Sequence, residues 1–228
     1  MSSKRFKKLN ADNNIKGDIF SKLISEIKKN CNVKFDESID LSLQIYNKQK
    51  KNEINIRTSV NLPSGTGKSI KIGVVCEEAK QKNAKDAGAE TVGGDELIEK
   101  IKNGELNFDK LICTSSMMPK LAKLGKVLGP KGLMPNPKLG TVSDDISFAV
   151  KNAKSGQVEI RNDKDGNIGV SIGKKSFSDE NLTKNLNAIL DALDKEKLNN
   201  NVKGNLVKNS FITSTMGRSF KLKLEKSI

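Results

Sequence analysis

The spacing of apolar residues changes period twice along this 228-residue chain, and that change constrains the fold more than any single motif. From Ile39 to Ile45, and again from Ile54 to Leu62, apolar and polar residues alternate, which predicts two half-buried strands joined by the lysine-rich NKQKKN. The pattern then switches to short apolar runs, IKIGVVC, AETV and KLICTS, separated by the helix-like EEAKQKNAKDAG, DELIEKIKNG and MMPKLAKLGKVLG, with a last helix over about 144–154. Strands alternating with helices predict βαβ units on a parallel sheet. After Gly156 alternation returns in QVEIRN and NIGVSIG, which flank the turn-forming DKDG as a hairpin. An amphipathic helix follows, with Leu182, Leu186, Ile189, Leu190 and Leu193 on one side and Ser178 as cap, and then the strands NLVKNSFITST and SFKLKLE. Near the start, Ile15, Ile19, Leu23 and Ile27 share the face of a helix over 13–30 with an asparagine to cap it.

Half-buried strands on both sides of a parallel block are explained most economically by a discontinuous chain. Residues 1–66 and 159–228 form one split antiparallel α+β domain, and residues 67–158 form an inserted, Rossmann-like parallel α/β domain. The crossings fall in SGTG and SGQ, where Gly65, Gly67 and Gly156 make a hinge.

Several function classes drop out. The chain has no histidine, which removes His-based metal sites, Ser-His-Asp triads and Cys-His dyads together. Cys31, Cys76 and Cys113 are scattered without a C-x-x-C, so neither a zinc site nor a disulfide framework is suggested. Cys76 and Cys113 end apolar runs and read as buried, inert thiols. SGTGKS invites a phosphate-loop reading, but Leu62 stands where the first glycine is required and a strand follows where a helix must open. No G-x-G-x-x-G follows Ile70–Cys76, so a dinucleotide has no cradle. Asp144-Asp145 and Glu77-Glu78 read as acids at helix N-termini. No run approaches the roughly 18–20 apolar residues of a membrane span. The N-terminus is basic without the apolar stretch of a signal peptide, which predicts a cytoplasmic protein.

Charge points to a partner. With 41 basic and 27 acidic residues the chain carries +14, which favours a polyanion, most often nucleic acid. Residues 1–66 hold 13 basic and 7 acidic side chains and residues 159–228 hold 13 and 9, so the split domain carries 6 + 4 = +10 of the total. Two windows contain no acid: Lys110 to Ser143, with six lysines, and Lys197 to Leu224, with five lysines and Arg218. The first window includes KLAKLGKVLGPKGLMPNPKLGTV, and Gly129 to Pro137 within it predicts a rigid, non-repetitive loop. A plain structural turn would explain its glycines and prolines but not its unopposed lysines. SFITSTMG, residues 210–217, offers hydroxyls for ribose, Met216 as an apolar surface and Gly217 for close approach, although strand edges are also often Thr-rich.

The GPKGLMPNPKLGTV segment, together with VKFDESIDL, LPSGTGKS, DAGAETVGG, VKNAKSGQVEIRNDKDG and TSTMG, resembles the large-subunit ribosomal protein L-one family over nearly the whole chain, in order. The resemblance implies the same split-and-inserted architecture, binding to the mobile stalk of large-subunit rRNA, a part in release of exit-site tRNA, and repression of the protein's own operon mRNA. It implies no catalysis, no cofactor and no metal, with a protein that is monomeric when free and joins other large-subunit components. Carried over by motif, rRNA contacts fall on Lys34, Phe35, Glu37, Ser38 and Asp40, and on Ser210, Thr213, Thr215, Met216 and Gly217. Phe35 and Met216 would be apolar platforms, while hydroxyls and acids meet ribose 2′-OH groups in a shallow RNA groove. Secondary RNA or tRNA contacts would come from Lys120, Lys123, Lys126, Gly129, Lys131, Gly132, Met134 and Lys138. NKQKKNEIN, IRTSV, Ser64 and Arg218 depart from the family's usual pattern. The rival readings are a free RNA chaperone or regulatory RNA-binding protein, and an enzyme using the α/β block.

Overall fold

In the computed structural model the described residues are 18–46, 48–49, 52–200, 202 and 204–224. They divide into two compact units: residues up to Gly67 with those from Val158 onward, and Lys68–Gln157.

The first unit is built on an antiparallel sheet in the order β11-β10-β1-β9. Its strands are β1 (Ser38–Ile45), β9 (Asn167–Lys174), β10 (Val207–Ser214) and β11 (Ser219–Lys221). Alternation on β1 sends Ile39, Leu41, Leu43 and Ile45 inward, level with Ile168, Val170 and Ile172 of β9 and Ile212 of β10. Helices α1 (Phe20–Asn30) and α7 (Asp179–Asn199) complete this core with Leu23, Ile24, Ile27, Leu182, Leu186 and Ile189. Ser178 caps α7 as its sequence predicts, its Oγ accepting from the Asn181 N–H. Of the outward positions, Ser42, Gly169 and Phe211 are exposed and Asp40, Gln44, Asn209 and Thr213 half-buried. One sheet face is therefore core and the other is open.

Four local expectations change. Residues 13–17 of the expected first helix lie outside the described residues, and α1 starts at Phe20 with Ile19, not an asparagine, in the cap position. The first two predicted strands do not pair with each other, since β1 lies between β9 and β10. The second of them shortens to β4 (Arg57–Asn61), which pairs with β8 (Gln157–Arg161). Ile54 and Ile56 are buried just before β4, and the Asn162 side chain stands in for a neighbouring strand there. It accepts from the Ile56 N–H at 2.6 Å and donates to the Ile54 carbonyl at 3.1 Å. Finally, DKDG does form a turn, in which Asp163 Oδ1 accepts from Asp165 at 3.0 Å and Asn167 at 2.7 Å. The Asn167 N–H thereby holds this carboxyl below the usual carboxylate range. Beyond the Asn162–Ile168 bridge, however, the strands separate, β8 to β4 and β9 to β1. Of the NKQKKN linker, the described backbone forms two two-residue strands, β2 (Lys48–Gln49) and β3 (Asn52–Glu53), paired antiparallel.

The end of the first unit before the crossing is fixed by a buried side chain. Asn185 of α7 accepts from the Ser64 N–H at 3.0 Å and donates to the Gly65 carbonyl at 3.0 Å and the Ile172 carbonyl at 2.7 Å. Gly65, Gly67 and Gly156 all have positive φ, at 71°, 69° and 97°, a conformation that glycine alone adopts without penalty.

The second unit has the parallel sheet that its sequence predicts, β6-β5-β7, from β6 (Thr91–Gly93), β5 (Ile72–Val75) and β7 (Lys110–Cys113). Apolar clusters cover both faces of β5, which explains its unbroken apolar run. Ile72 and Val74 pack against α2 (Glu78–Asp86) and α6 (Ile146–Lys154) through Ala84, Ala149 and Val150. Val75 faces α3 (Asp95–Lys102), α4 (Met118–Ala122) and α5 (Gly125–Leu128) through Leu97, Leu121 and Leu128. SGTGKS leads toward β5 and opens no helix. Both Cys76 and Cys113 are buried, as expected, which raises the Cys76 thiol and pushes that of Cys113 up to about 11. A Cβ added at Gly73 would come within 2.9 Å of the Phe108 ring. Gly73→Ala is therefore expected to cost about 1–3 kcal/mol by overpacking, read as an earlier urea transition of this unit by circular dichroism.

Candidate nucleic-acid interface

Two segments far apart in sequence meet at one end of β1. The first is the loop leaving α1, residues 31–37, which has no regular structure of its own and is tied down by its polar groups. Asp36 Oδ1 accepts from the Ser176 N–H at 3.1 Å and Oδ2 from the Ser176 hydroxyl at 2.8 Å. Lys175 Nζ donates to the Cys31 carbonyl at 2.8 Å, and Lys174 Nζ to that of Asp36 at 3.3 Å. So held, Lys34 is exposed and the Phe35 ring keeps 53% of its surface in solvent. A phenyl ring left this open on a pinned loop is an apolar surface that no described residue covers.

The second segment is the turn after β10. The Thr215 N–H donates to the Ser38 carbonyl at 3.0 Å, and the Ser38 N–H donates back to Thr215 Oγ1 at 3.0 Å. Gly217 N–H closes the turn on the Ser214 carbonyl at 3.1 Å. A Cβ at Gly217 would lie 2.2 Å from Ser214 Oγ, so any larger residue there would have to displace that hydroxyl. Met216, 46% exposed, stands at its tip. Asp40 and Thr213 are cross-strand partners beside it, both half-buried. Arg218 lies over the Phe220 ring at 4.7 Å, a cation–π contact that sets the guanidinium at this edge.

Lys34, Phe35, Ser38, Asp40, Thr213, Thr215, Met216 and Gly217 thus come together from two strands and their loops. Two of the expected contacts do not join them. Ser210 shares the inward parity of Ile212, is buried, and donates its hydroxyl to the Leu222 carbonyl at 2.8 Å. Glu37 is 0% exposed beneath the turn, where its Oε2 accepts from the Met216 N–H at 3.0 Å. Asn209 and Phe211, one position to either side of Ser210, are the outward residues of β10, and Asn209 Nδ2 donates to Gln44 Oε1 at 2.9 Å across the open face. Counting by twos from the core anchor Ile212 would have found them. Asp36 and Ser176, which hold the Phe35 loop, carried no such signal.

In the second unit the acid-free window is free of acid only in sequence. Lys120 forms a two-point ion pair with Asp95, at 2.7 and 2.9 Å. Met134 is half-buried and packs with Leu133 against the cluster of Leu121 and Leu128, so it is largely a core residue. Lys123, Lys126, Gly129, Lys131 and Gly132 are exposed, while the Lys138 side chain lies outside the described residues. The loop is closed by a 2.7 Å bond from the Asn136 N–H to Thr141 Oγ1, and Gly132 and Gly140 take positive φ. Among the described residues no group of three or more acids and cysteines is placed to hold a metal, and no helix is long and apolar enough to cross a membrane.

The family model described as the ribosomal protein L1p/L10e family matches residues 27–218, both halves of the split unit and the whole insert. The chain belongs to this family. The large ribosomal subunit protein uL1 of Pelagibacter ubique is 68% identical over 229 residues, covering all of both chains. The protein of that name from Prochlorococcus marinus is 45% identical over 96% of this chain and 94% of its own. That from Rickettsia akari is 45% identical over 88% and 84%. Membership, of the bacterial type, makes the chain a structural protein of the large ribosomal subunit rather than an enzyme.

Proposed function

We propose that this protein binds the stalk region of large-subunit rRNA directly, through the Phe35–Met216 surface and the open face of its sheet. The observation that carries the reading is the pair of exposed apolar side chains on rigid, mutually bonded backbone, with Lys34 beside them. A rigid apolar platform among hydroxyls and carbonyls suits ribose and base edges, which an RNA minor groove presents. The net charge of +14 then draws the polyanion in, while ribose contacts choose it. Asp40 fits this division, because it accepts a 2′-OH hydrogen bond where it would repel a phosphate. The exposed lysines of the insert add secondary contacts to stalk RNA or to tRNA leaving the exit site. Gly65, Gly67 and Gly156 let the insert swing. Free protein, as a monomer, would bind an mRNA mimic of the same site and repress its own operon, and in the cytoplasm it joins the ribosome with other large-subunit components.

Nuclease footprinting of the full chain on total rRNA tests the reading, with protection confined to one large-subunit stalk as the expected result. Protection spread evenly over the RNA, or protein that washes from large subunits in high salt, would favour a free chaperone. A second measurement tests the division of labour. Residues 1–66 joined to 159–228 should keep affinity within about tenfold of the full chain, since losing peripheral lysines costs about 1 kcal/mol. Binding by the insert alone would reverse the assignment.

A further inference from the structure

Glu37 is a glutamate at a nucleic-acid-facing turn, yet none of its surface reaches solvent. Burying a carboxylate is costly unless its bonds do something specific. Its Oε2 takes the Met216 N–H at 3.0 Å and its backbone carbonyl takes the Lys175 N–H at 2.8 Å. It therefore touches the Thr-Met-Gly turn with its side chain and the Lys174–Ser176 segment with its backbone. That segment is the one that pins the Phe35 loop through Asp36. Beneath it the Cys31 thiol lies against both Glu37 and Ser214. Glu37 Oε1 and Ser214 Oγ are buried, with no hydrogen-bond partner among the described residues beyond this thiol. The same Ser214 hydroxyl is the group that a Cβ at position 217 would meet, at 2.2 Å. The Met216 N–H bond to Glu37 and the Thr215 bonds to Ser38 thus tie this turn to two adjacent residues.

We propose that Glu37 is a positioning residue. It is a buried latch that holds the Met216 turn against the Phe35 loop, so that both platforms are set before RNA arrives. This deepens the RNA-binding reading and rests on it. A surface ordered in advance loses less freedom on binding, so releasing the latch weakens affinity without removing any RNA contact. The role needs an acceptor at Oε2 and no net charge. Glu37→Gln retains that acceptor, whereas Glu37→Asp keeps the charge but shortens the reach.

The test uses the full chain, a transcript of the large-subunit stalk rRNA in filter-binding titrations, and hydrogen exchange of the Met216 amide. Glu37→Gln should bind within about twofold of wild type and Glu37→Ala about tenfold more weakly. In a Met216→Ala background the Glu37→Ala loss should shrink to about threefold or less, because both changes act through one turn. The slope of log affinity against log salt should not move, since no phosphate contact is removed. The Met216 amide should stay protected in wild type and Glu37→Gln and exchange quickly in Glu37→Ala. If circular dichroism shows Glu37→Ala unfolded, Glu37→Asp decides, with about fivefold weaker binding and a faster Met216 amide expected. Wild-type affinity with a protected amide in Glu37→Ala or Glu37→Asp would overturn the latch, as would a Glu37→Gln as weak as Glu37→Ala. Failure of the wild-type chain to bind would overturn the RNA reading instead, and amide exchange would still decide the latch.

Discussion

Met216→Asp is expected to weaken binding of the stalk transcript by about 1–3 kcal/mol, the usual size of one good recognition contact. At 25 °C that is roughly a 5- to 150-fold loss, well within the range of a filter-binding titration. The side chain is nearly half exposed at the tip of its turn, and the backbone N–H bond to Glu37 is left in place by the substitution. The thermal midpoint should therefore change little, and the loss is assigned to the surface. The carboxylate removes an apolar contact and sets a like charge against the nucleic acid. Met216→Leu keeps the apolar volume and should bind within about twofold. The salt dependence separates the two kinds of contact. Met216 neutralises no phosphate, so its slope should match wild type, whereas Lys34→Ala should flatten the slope by about one. Unchanged affinity in a folded Met216→Asp protein would remove this residue from the interface.

Asn185→Ala is expected to destabilise the first unit by about 2–4 kcal/mol, because it strands one buried N–H and two carbonyls at once. The amide is 0% exposed and ties α7 both to β9 and to the segment that leaves β4. Asn185→Asp should be worse, about 3–5 kcal/mol, since it points a second acceptor at two carbonyl oxygens. The chain has one tyrosine and no tryptophan, and Tyr46 lies in the first unit. Tyrosine fluorescence during urea titration therefore reports this unit selectively, while circular dichroism also follows the insert. A shift confined to the tyrosine signal is the expected result. Equal movement of both signals, or neither, would show that the amide does not act where its hydrogen bonds place it.

The two-layer plan was legible because hydrophobic periodicity records burial directly. Alternation in Ile39–Ile45 and the unbroken IGVV run correspond to one-sided and two-sided sheets. Strand partners were not legible, because period two says which face a residue takes and nothing about its neighbour. DKDG thus predicted a hairpin whose strands in fact leave for different sheets. Chemistry supplied by single polar side chains was also hidden. The Asn162 amide replaces strand hydrogen bonds before β4, and the Asp95 carboxylate reaches across to Lys120. At the candidate interface, the motifs name two segments that the fold brings together, but not which of their residues face outward. Ser210 and Glu37 sit in the motifs as naturally as their neighbours, and only the parity of β10 and the burial under the turn set them apart.

The candidate surface is closed by residues about position 35 and about position 216, with the whole insert between them in sequence. During synthesis β1 emerges without β10, its central neighbour, and waits for more than 170 residues (Asp40 to Gly217 is 217 − 40 = 177). At a translation rate of roughly 5–20 residues per second that interval is about 10–35 seconds. The insert draws its sheet contacts from nearby sequence and can fold in that time, while the first unit stays unfinished. The Phe35–Met216 surface is thus completed only after the insert has been made, so under the proposed RNA-binding function a partly made copy would lack it.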